Sequence, residues 1–225
     1  MVNLIPVIAV DGPSGVGKGT LCQLLAQHFH WHLLDSGAIY RVLGFWALQK
    51  NIALDNETQL AQEALALPLS FISTPEFVKV MLDNNDISSL IRNENIGAAA
   101  SQVASLPQVR EALLQRQRAF RVAPGLIADG RDMGTIVFPD APVKIFLDAS
   151  AQARAERRMN QLREKGICAK FGEVFQEIAD RDHRDRNRTV APLKPASDAF
   201  VIDSTTLTIN EVFEKALTYI NANLK

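Results

Sequence analysis

Cysteine is scarce: the chain has two in 225 residues, Cys22 and Cys168. They lack the paired spacing of a metal site, and two thiols make no disulfide framework. Reduced, buried or neutral thiols are the expectation, which suits the cytoplasm. Charge of one sign is missing too. The 24 Lys and Arg against 25 Asp and Glu leave a net charge of −1, which excludes broad nucleic-acid binding, since that needs a basic surplus. No apolar run approaches the ~18 residues that cross a bilayer. The stretch Leu4–Val10 has no basic leader and runs straight into Asp11-Gly12, so it reads as a first core strand rather than a signal peptide. Internal repeats and low-complexity tracts are not evident. What remains is a globular chain long enough for one sizeable core plus an insertion, or for two small domains.

Five short apolar runs stand out: Leu4–Val10, Trp31–Leu34, Leu126–Ala128, Val143–Leu147 and Phe200–Ile202. Near-continuous apolar runs fit parallel strands buried on both faces. They alternate with helical segments such as Lys18–Phe29, where Leu21, Leu24, Leu25 and Phe29 recur at helical spacing, and Tyr40–Leu48. The economical fold is a parallel five-stranded α/β sheet with helices on both faces. Each run leads into polar residues, and ligands of such sheets bind beyond the carboxyl ends of the strands. The stretch Leu69–Ser88 breaks the pattern. Its short strands, with turns at Ser73-Thr74-Pro75 and Asp83-Asn84-Asn85-Asp86, read as a small antiparallel patch inside an inserted subdomain, 63–103.

The segment DGPSGVGKGT carries a phosphate-binding loop: Gly12, Pro13, Ser14, Gly15, Val16, Gly17, Lys18, Gly19 and Thr20. Glycines let backbone N–H groups turn inward around phosphate oxygens, the next helix adds its positive end, and Lys18 reaches the β- and γ-phosphates. The usual frame has Ser or Thr after the lysine, to help hold magnesium; here Gly19 stands there. The metal then leans on phosphates and water.

Three further clusters follow strand ends or lie on helices. In Asp35-Ser36-Gly37-Ala38-Ile39-Tyr40-Arg41, Ser36 suits a helix cap, while Arg41 sits where the helix dipole disfavours a cation and so suits a second phosphate. In Asp129-Gly130-Arg131-Asp132-Met133-Gly134-Thr135, Arg131 can fork onto phosphate and Asp132 can accept from an amino group such as cytosine N4; a surface turn with a local ion pair is the plainer alternative. In Asp180–Arg188, helical spacing puts Arg181, Asp185 and Arg188 on one face and pairs Asp182 with Arg186; a solvated, ion-paired helix is the plainer alternative, and His183 reads as exposed. A last run, Arg154, Arg157, Arg158, Arg163 and Lys165, ends at Gly166 and reads either as a mobile arm over phosphates or as an ordinary amphipathic helix.

Taken in order, GPSGVGKGT, DSGAIYR, DGRDMGT, KIFLD and RDHRDRNR resemble the bacterial cytidylate kinases of the nucleoside monophosphate kinase family, over essentially the whole chain. The Lys-Gly-Thr ending of the loop is typical of that family. The resemblance implies a P-loop kinase fold: a core of 1–62 and 104–225, the acceptor-binding insertion 63–103, and a helical lid at about 154–170 carrying Arg154, Arg157 and Arg158. It implies transfer of the γ-phosphoryl group of ATP, with Mg2+, to CMP or dCMP. Residues 12–20 would hold ATP, and Ser36, Arg41, Ser101, Arg110, Arg131, Asp132, Arg181, Asp185 and Arg188 the acceptor. Lys18, Arg131, Arg181 and Arg188 would be catalytic. The protein would work as a cytoplasmic monomer, with no nucleic acid, membrane or obligatory protein partner. The competing readings are a UMP or AMP kinase on the same scaffold, a switch that hydrolyses a nucleoside triphosphate, and a passive nucleotide-binding domain.

Overall fold

The computed structural model describes residues 4–73, 78–164 and 166–224. It divides into two compact units: the chain up to Leu34 together with that from Arg118 onward, and Asp35–Gln117.

The first unit is built on a five-stranded sheet of β1 (Val7–Asp11), β2 (His32–Asp35), β6 (Leu126–Gly130), β7 (Val143–Asp148) and β8 (Phe200–Asp203), in the order β2-β6-β1-β7-β8. The central β1 runs parallel to both β6 and β7. All five of its residues are buried, as a strand covered on both faces must be. Helices α1 (Lys18–Phe29) and α8 (Ile209–Asn223) place Leu21, Cys22, Leu25, Val212, Ala216 and Ile220 in one core with Ile8, Val10, Ile127 and Ile145. Thr208 and Glu211 start α8 with a reciprocal capping box. The hairpin of α6 (Ala151–Glu164) and α7 (Phe171–Arg186) closes a small core of its own from Ala155, Leu162, Val174 and Ile178. Lys165 lies outside the described residues.

The second unit holds α2 (Ser36–Gln49), α3 (Glu57–Ala66), α4 (Glu94–Val103) and α5 (Pro107–Arg118), with a small antiparallel sheet of β3 (Leu69–Ser73), β4 (Val78–Leu82) and β5 (Asn85–Asp86). The 63–103 stretch read as an insertion falls within this unit. Gly44 lets α2 approach α4 closely: a Cβ there would lie 3.2 Å from that of Ala99. The expected turn at Asp83–Asp86 is shorter than its composition suggests. Only Asp83 and Asn84 turn, both at positive φ, and Asn85 and Asp86 pair back onto β4. Phe77 and the Thr74-Pro75 part of the other turn lie outside the described residues.

Among the described residues, no helix is long and apolar enough to cross a membrane.

Candidate active site

The phosphate loop begins where β1 ends. A Cβ on Gly12 would sit 2.0 Å from the Leu147 carbonyl oxygen, so only glycine lets the chain leave β1 beside β7. Gly17 caps α1 in a left-handed conformation, at φ 97°. The first turn of α1 has no acidic residue, so its positive end faces no carboxylate of its own. Asp129, at the end of β6, stands over this turn: a Cβ on Gly19 would lie 3.7 Å from its Oδ2. Lys18 is buried and its Nζ donates to the Pro13 carbonyl at 2.7 Å. Burial, and after it the charge of Arg131, pull the Lys18 pKa down to about 7, with Asp129 acting in the opposite sense. Beyond β6, Asp132 is buried at the start of a single wide helical turn, Met133–Val137.

Arginines from outside α7 meet at Asp185, which α7 carries. Arg131 Nε donates to Asp185 Oδ2 at 3.0 Å, and Arg188 Nη2 lies 2.9 Å from Asp185 Oδ1. Burial pushes the Asp185 carboxyl up, but the charges of Arg131, Arg188 and Arg181 outweigh it and hold the pKa below the ordinary aspartate value. The first unit therefore gathers Lys18, Arg131, Arg181 and Arg188 around Asp129 and Asp185.

Two details differ from an ideal helix through residue 188. Helix α7 ends at Arg186, because Asn187 turns back onto the His183 carbonyl with both its backbone N–H and its side-chain Nδ2. Arg188 still reaches Asp185 from beyond the helix end. Asp182 does not pair with Arg186. It takes a two-pronged ion pair from Arg154, at 3.0 and 2.5 Å, while Arg186 lies 3.9 Å from Asp148. His183 is exposed, as expected.

Three arginines of the run read either as a mobile arm or as an amphipathic helix are differently placed. Arg154 is buried, and also donates to the carbonyls of Ala149 at 3.1 Å and Ser14 at 3.2 Å. Arg157 donates to the Val16 carbonyl at 3.3 Å, and to the hydroxyl and carbonyl of Ser204. Arg158 contacts Gln161 on its own helix. Asp182 and Ser204 complete this brace around the loop, and only the fold brings them to α6.

In the second unit the helix cap is Asp35, whose Oδ1 accepts from Ala38 N at 3.0 Å, so the buried Ser36 is left as the first helical residue rather than the cap. One turn on, Arg41 Nη1 donates to the Ile91 carbonyl at 2.9 Å, and its guanidinium lies over Gly97, where a Cβ would meet it at 3.5 Å. Arg110 is buried over the ring of Tyr40, 5.6 Å from its centroid. Ser101 is buried on α4. Tyr40 lies next to Arg41 inside DSGAIYR, but only the fold brings Arg110 over its ring.

A parallel sheet whose central strand opens into a glycine-rich loop, with a lysine at the start of the next helix and arginines gathered beside it, defines the class of P-loop kinases. Comparison with known proteins narrows this. The family model for cytidylate kinase matches residues 8–222. The chain is 59% identical over 224 residues to a cytidylate kinase of Enterobacter sp. (strain 638), covering 100% of this chain and 99% of that one. It is 61% identical over 219 residues to one of Proteus mirabilis, covering 97% of each. A gluconokinase structure from Sinorhizobium meliloti aligns at a TM-score of 0.48 and 13% identity, over 97% of this chain and 93% of that one. The chain belongs to the cytidylate kinase family and is a phosphotransferase.

Proposed function

We propose that this enzyme transfers the γ-phosphoryl group of ATP to CMP or dCMP, giving ADP and CDP or dCDP. An oxygen of the acceptor phosphate attacks the γ-phosphorus in line, and the bond to the β–γ bridging oxygen breaks as ADP leaves. The attacking oxygen is already anionic, so no strong general base is needed; positioning and charge stabilisation carry the catalysis. The observation that carries this reading is the cluster of Lys18, Arg131, Arg181 and Arg188 around Asp129 and Asp185, directly beside the phosphate loop.

Residues 12–20 would wrap the ATP phosphates with backbone N–H groups, and Lys18 would reach the β- and γ-phosphates. Arg131, Arg181 and Arg188 would meet the transferring group and the acceptor phosphate. Asp185 keeps Arg131 and Arg188 in place, and has lone pairs left for a sugar hydroxyl. Asp132 would accept from the exocyclic amine of cytosine; uracil offers a carbonyl there and would repel it. The acceptor residues Ser36, Arg41, Ser101 and Arg110 lie in the second unit, and 63–103 would serve as the acceptor-binding insertion. The segment at about 154–170, which carries Arg154, Arg157 and Arg158, would act as the lid, keeping water from the γ-phosphate.

Magnesium suits this donor set. Among the described residues no three His, Cys, Asp or Glu side chains gather into a metal cage. The carboxylate beside the loop is that of Asp129, which fits an ion that keeps water and phosphate oxygens as its main ligands. Asp129 would hold its waters. The chemistry such an ion would supply there is neutralisation of charge on the ATP phosphates. A cytoplasmic, monomeric enzyme is part of the proposal, and the exposed free thiol of Cys168 suits a reducing compartment.

The test is ADP release from ATP and Mg2+ with CMP, dCMP, UMP, AMP or no acceptor. The expected result is turnover strongest with CMP and dCMP. ADP release that no acceptor increases would replace the kinase with a hydrolytic switch, and a preference for UMP or AMP would reassign the acceptor.

A further inference from the structure

Asp11 is a buried carboxylate with no part in the phosphoryl transfer described above. It ends β1, one residue before the phosphate loop, and lies in register with Gly130 of β6. Its two oxygens reach past Gly130 to the next turn: Oδ1 accepts from Met133 N and Oδ2 from Gly134 N, each at 2.8 Å.

These bonds act on Asp132. The peptide unit joining Asp132 to Met133 is held at both ends. Its N–H goes to Asp11, and its carbonyl accepts from Ile136 N at 2.9 Å and Val137 N at 3.1 Å. Asp132 itself has φ −147° and ψ 24°, values of neither a helix nor a strand, so no regular element sets its direction. Close packing leaves the turn little other freedom. A Cβ on Gly130 would lie 2.8 Å from the Met133 side chain, and one on Gly134 would lie 3.2 Å from that of Lys144 and 3.4 Å from Asp11 Oδ2.

We propose that Asp11 is a positioning residue for acceptor specificity: by pinning the Asp132–Met133 peptide it fixes the direction in which Asp132 presents its carboxylate to the acceptor base. The inference rests on the proposed reading of Asp132 as the group that recognises cytosine. Asp11 touches neither substrate; it acts through Asp132. A site that reads a base by a hydrogen bond loses selectivity when the partner shifts, because the match to cytosine weakens while the mismatch to uracil is relieved.

Asp11→Asn tests this. The amide keeps the size of the side chain but has one acceptor oxygen, so one of the two N–H groups loses its partner. The readout is the ratio of kcat/KM for CMP to that for UMP, with the KM for ATP alongside. The expected result is a fall in the ratio of about tenfold or more, with the ATP KM within about threefold of wild type, since mis-set hydrogen-bond readers lose large factors in discrimination. Gly134→Ala crowds the Lys144 side chain at 3.2 Å and sets a methyl against Asp11 Oδ2 at 3.4 Å, so it disturbs the same turn with Asp11 intact and should lower the ratio in the same direction even if Asp11→Asn fails to fold. A ratio within about twofold of wild type in both variants, or an equal loss for ATP and CMP at constant ratio, would make Asp11 a plain structural brace and overturn the proposal. A wild-type ratio near one would overturn the base-reading role of Asp132 and this inference with it, whereas selective wild type and unchanged variants sink the inference alone.

Discussion

Arg131 Nε and Asp185 Oδ2, 54 residues apart in the chain, meet at 3.0 Å. The other oxygen of Asp185 faces Arg188, so one carboxylate holds two cations that would otherwise repel. The side-chain exposures are 19% for Arg131, 3% for Arg188 and 5% for Asp185, so water screens this cluster little. Asp185→Ala takes a counter-charge from the buried Arg188 and the part-buried Arg131. We expect a stability loss of about 3–5 kcal/mol in urea unfolding, the usual cost of breaking a buried pair from one side. A loss under about 1 kcal/mol would mean that the arginines find other partners. Because the folded pKa of Asp185 lies below its ordinary value, its contribution is present above pH ~4 and fades as pH falls below that.

Lys18 and Asp11 set opposite pH dependences. Burial raises the Asp11 pKa from 3.8 to about 7, so the folded state binds more protons than the unfolded one between those values. Stability contributed by Asp11 therefore falls as pH rises from 3.8 to about 7 and is flat above that. Lys18 is lowered from 10.5 to about 7, so there the unfolded state binds more protons, and stability rises with pH across that window. The substrate-free enzyme should show a dip in urea stability near neutral pH. Lys18→Met should flatten the alkaline limb and Asp11→Asn the acid limb. If Lys18→Met leaves the alkaline limb unchanged, Lys18 does not titrate there.

Lys18 has a catalytic counterpart to that profile. ATP phosphates favour the charged amine, so ATP binding above pH 7 should take up a proton, seen as a buffer-dependent enthalpy in calorimetry. Lys18→Ala should abolish transfer with the fold intact. Near-normal turnover would remove Lys18 from the mechanism.

Asp132→Ala should weaken CMP far more than ATP, since its carboxylate is assigned to the base alone; equal losses would make it structural. Arg181→Ala and Arg188→Ala should each lower kcat by about 10²-fold or more if they meet developing charge. Changes within twofold would leave both as structural ion-pairing residues with no part in the transfer.

The sheet was legible because buried parallel strands leave continuous apolar runs. Val143–Leu147 and Phe200–Ile202 each fall one residue short of the strands they mark, Val143–Asp148 and Phe200–Asp203. The loop was legible because its glycines are forced, as Gly12 against Leu147 shows. The partners of the charged side chains were not, because helical spacing reports only neighbours on one helix. Spacing pairs Asp182 with Arg186 four residues on, yet Asp182 binds Arg154 from another helix. The wide turn at Met133–Val137 was hidden for a similar reason: its first two N–H groups, of Met133 and Gly134, bond Asp11, more than a hundred residues away in the sequence.

Arg154 is the place where the two readings of the α6–α7 hairpin come apart. As a mobile arm it would meet phosphate directly, and its loss would lower kcat while leaving stability alone. Its position argues for a brace: its guanidinium donates to Asp182, Ala149 and Ser14 at once, with its side chain only 3% exposed. Lysine keeps the charge but cannot reach three acceptors in one plane. Arg154→Lys should therefore lower the melting temperature and raise the KM for ATP, through the loop carbonyl of Ser14, with little change in the KM for CMP. Combined with Asp182→Asn in a double-mutant cycle, it should show a stability coupling of about 1–3 kcal/mol. A loss confined to kcat, with unchanged melting and no coupling, would restore the mobile arm.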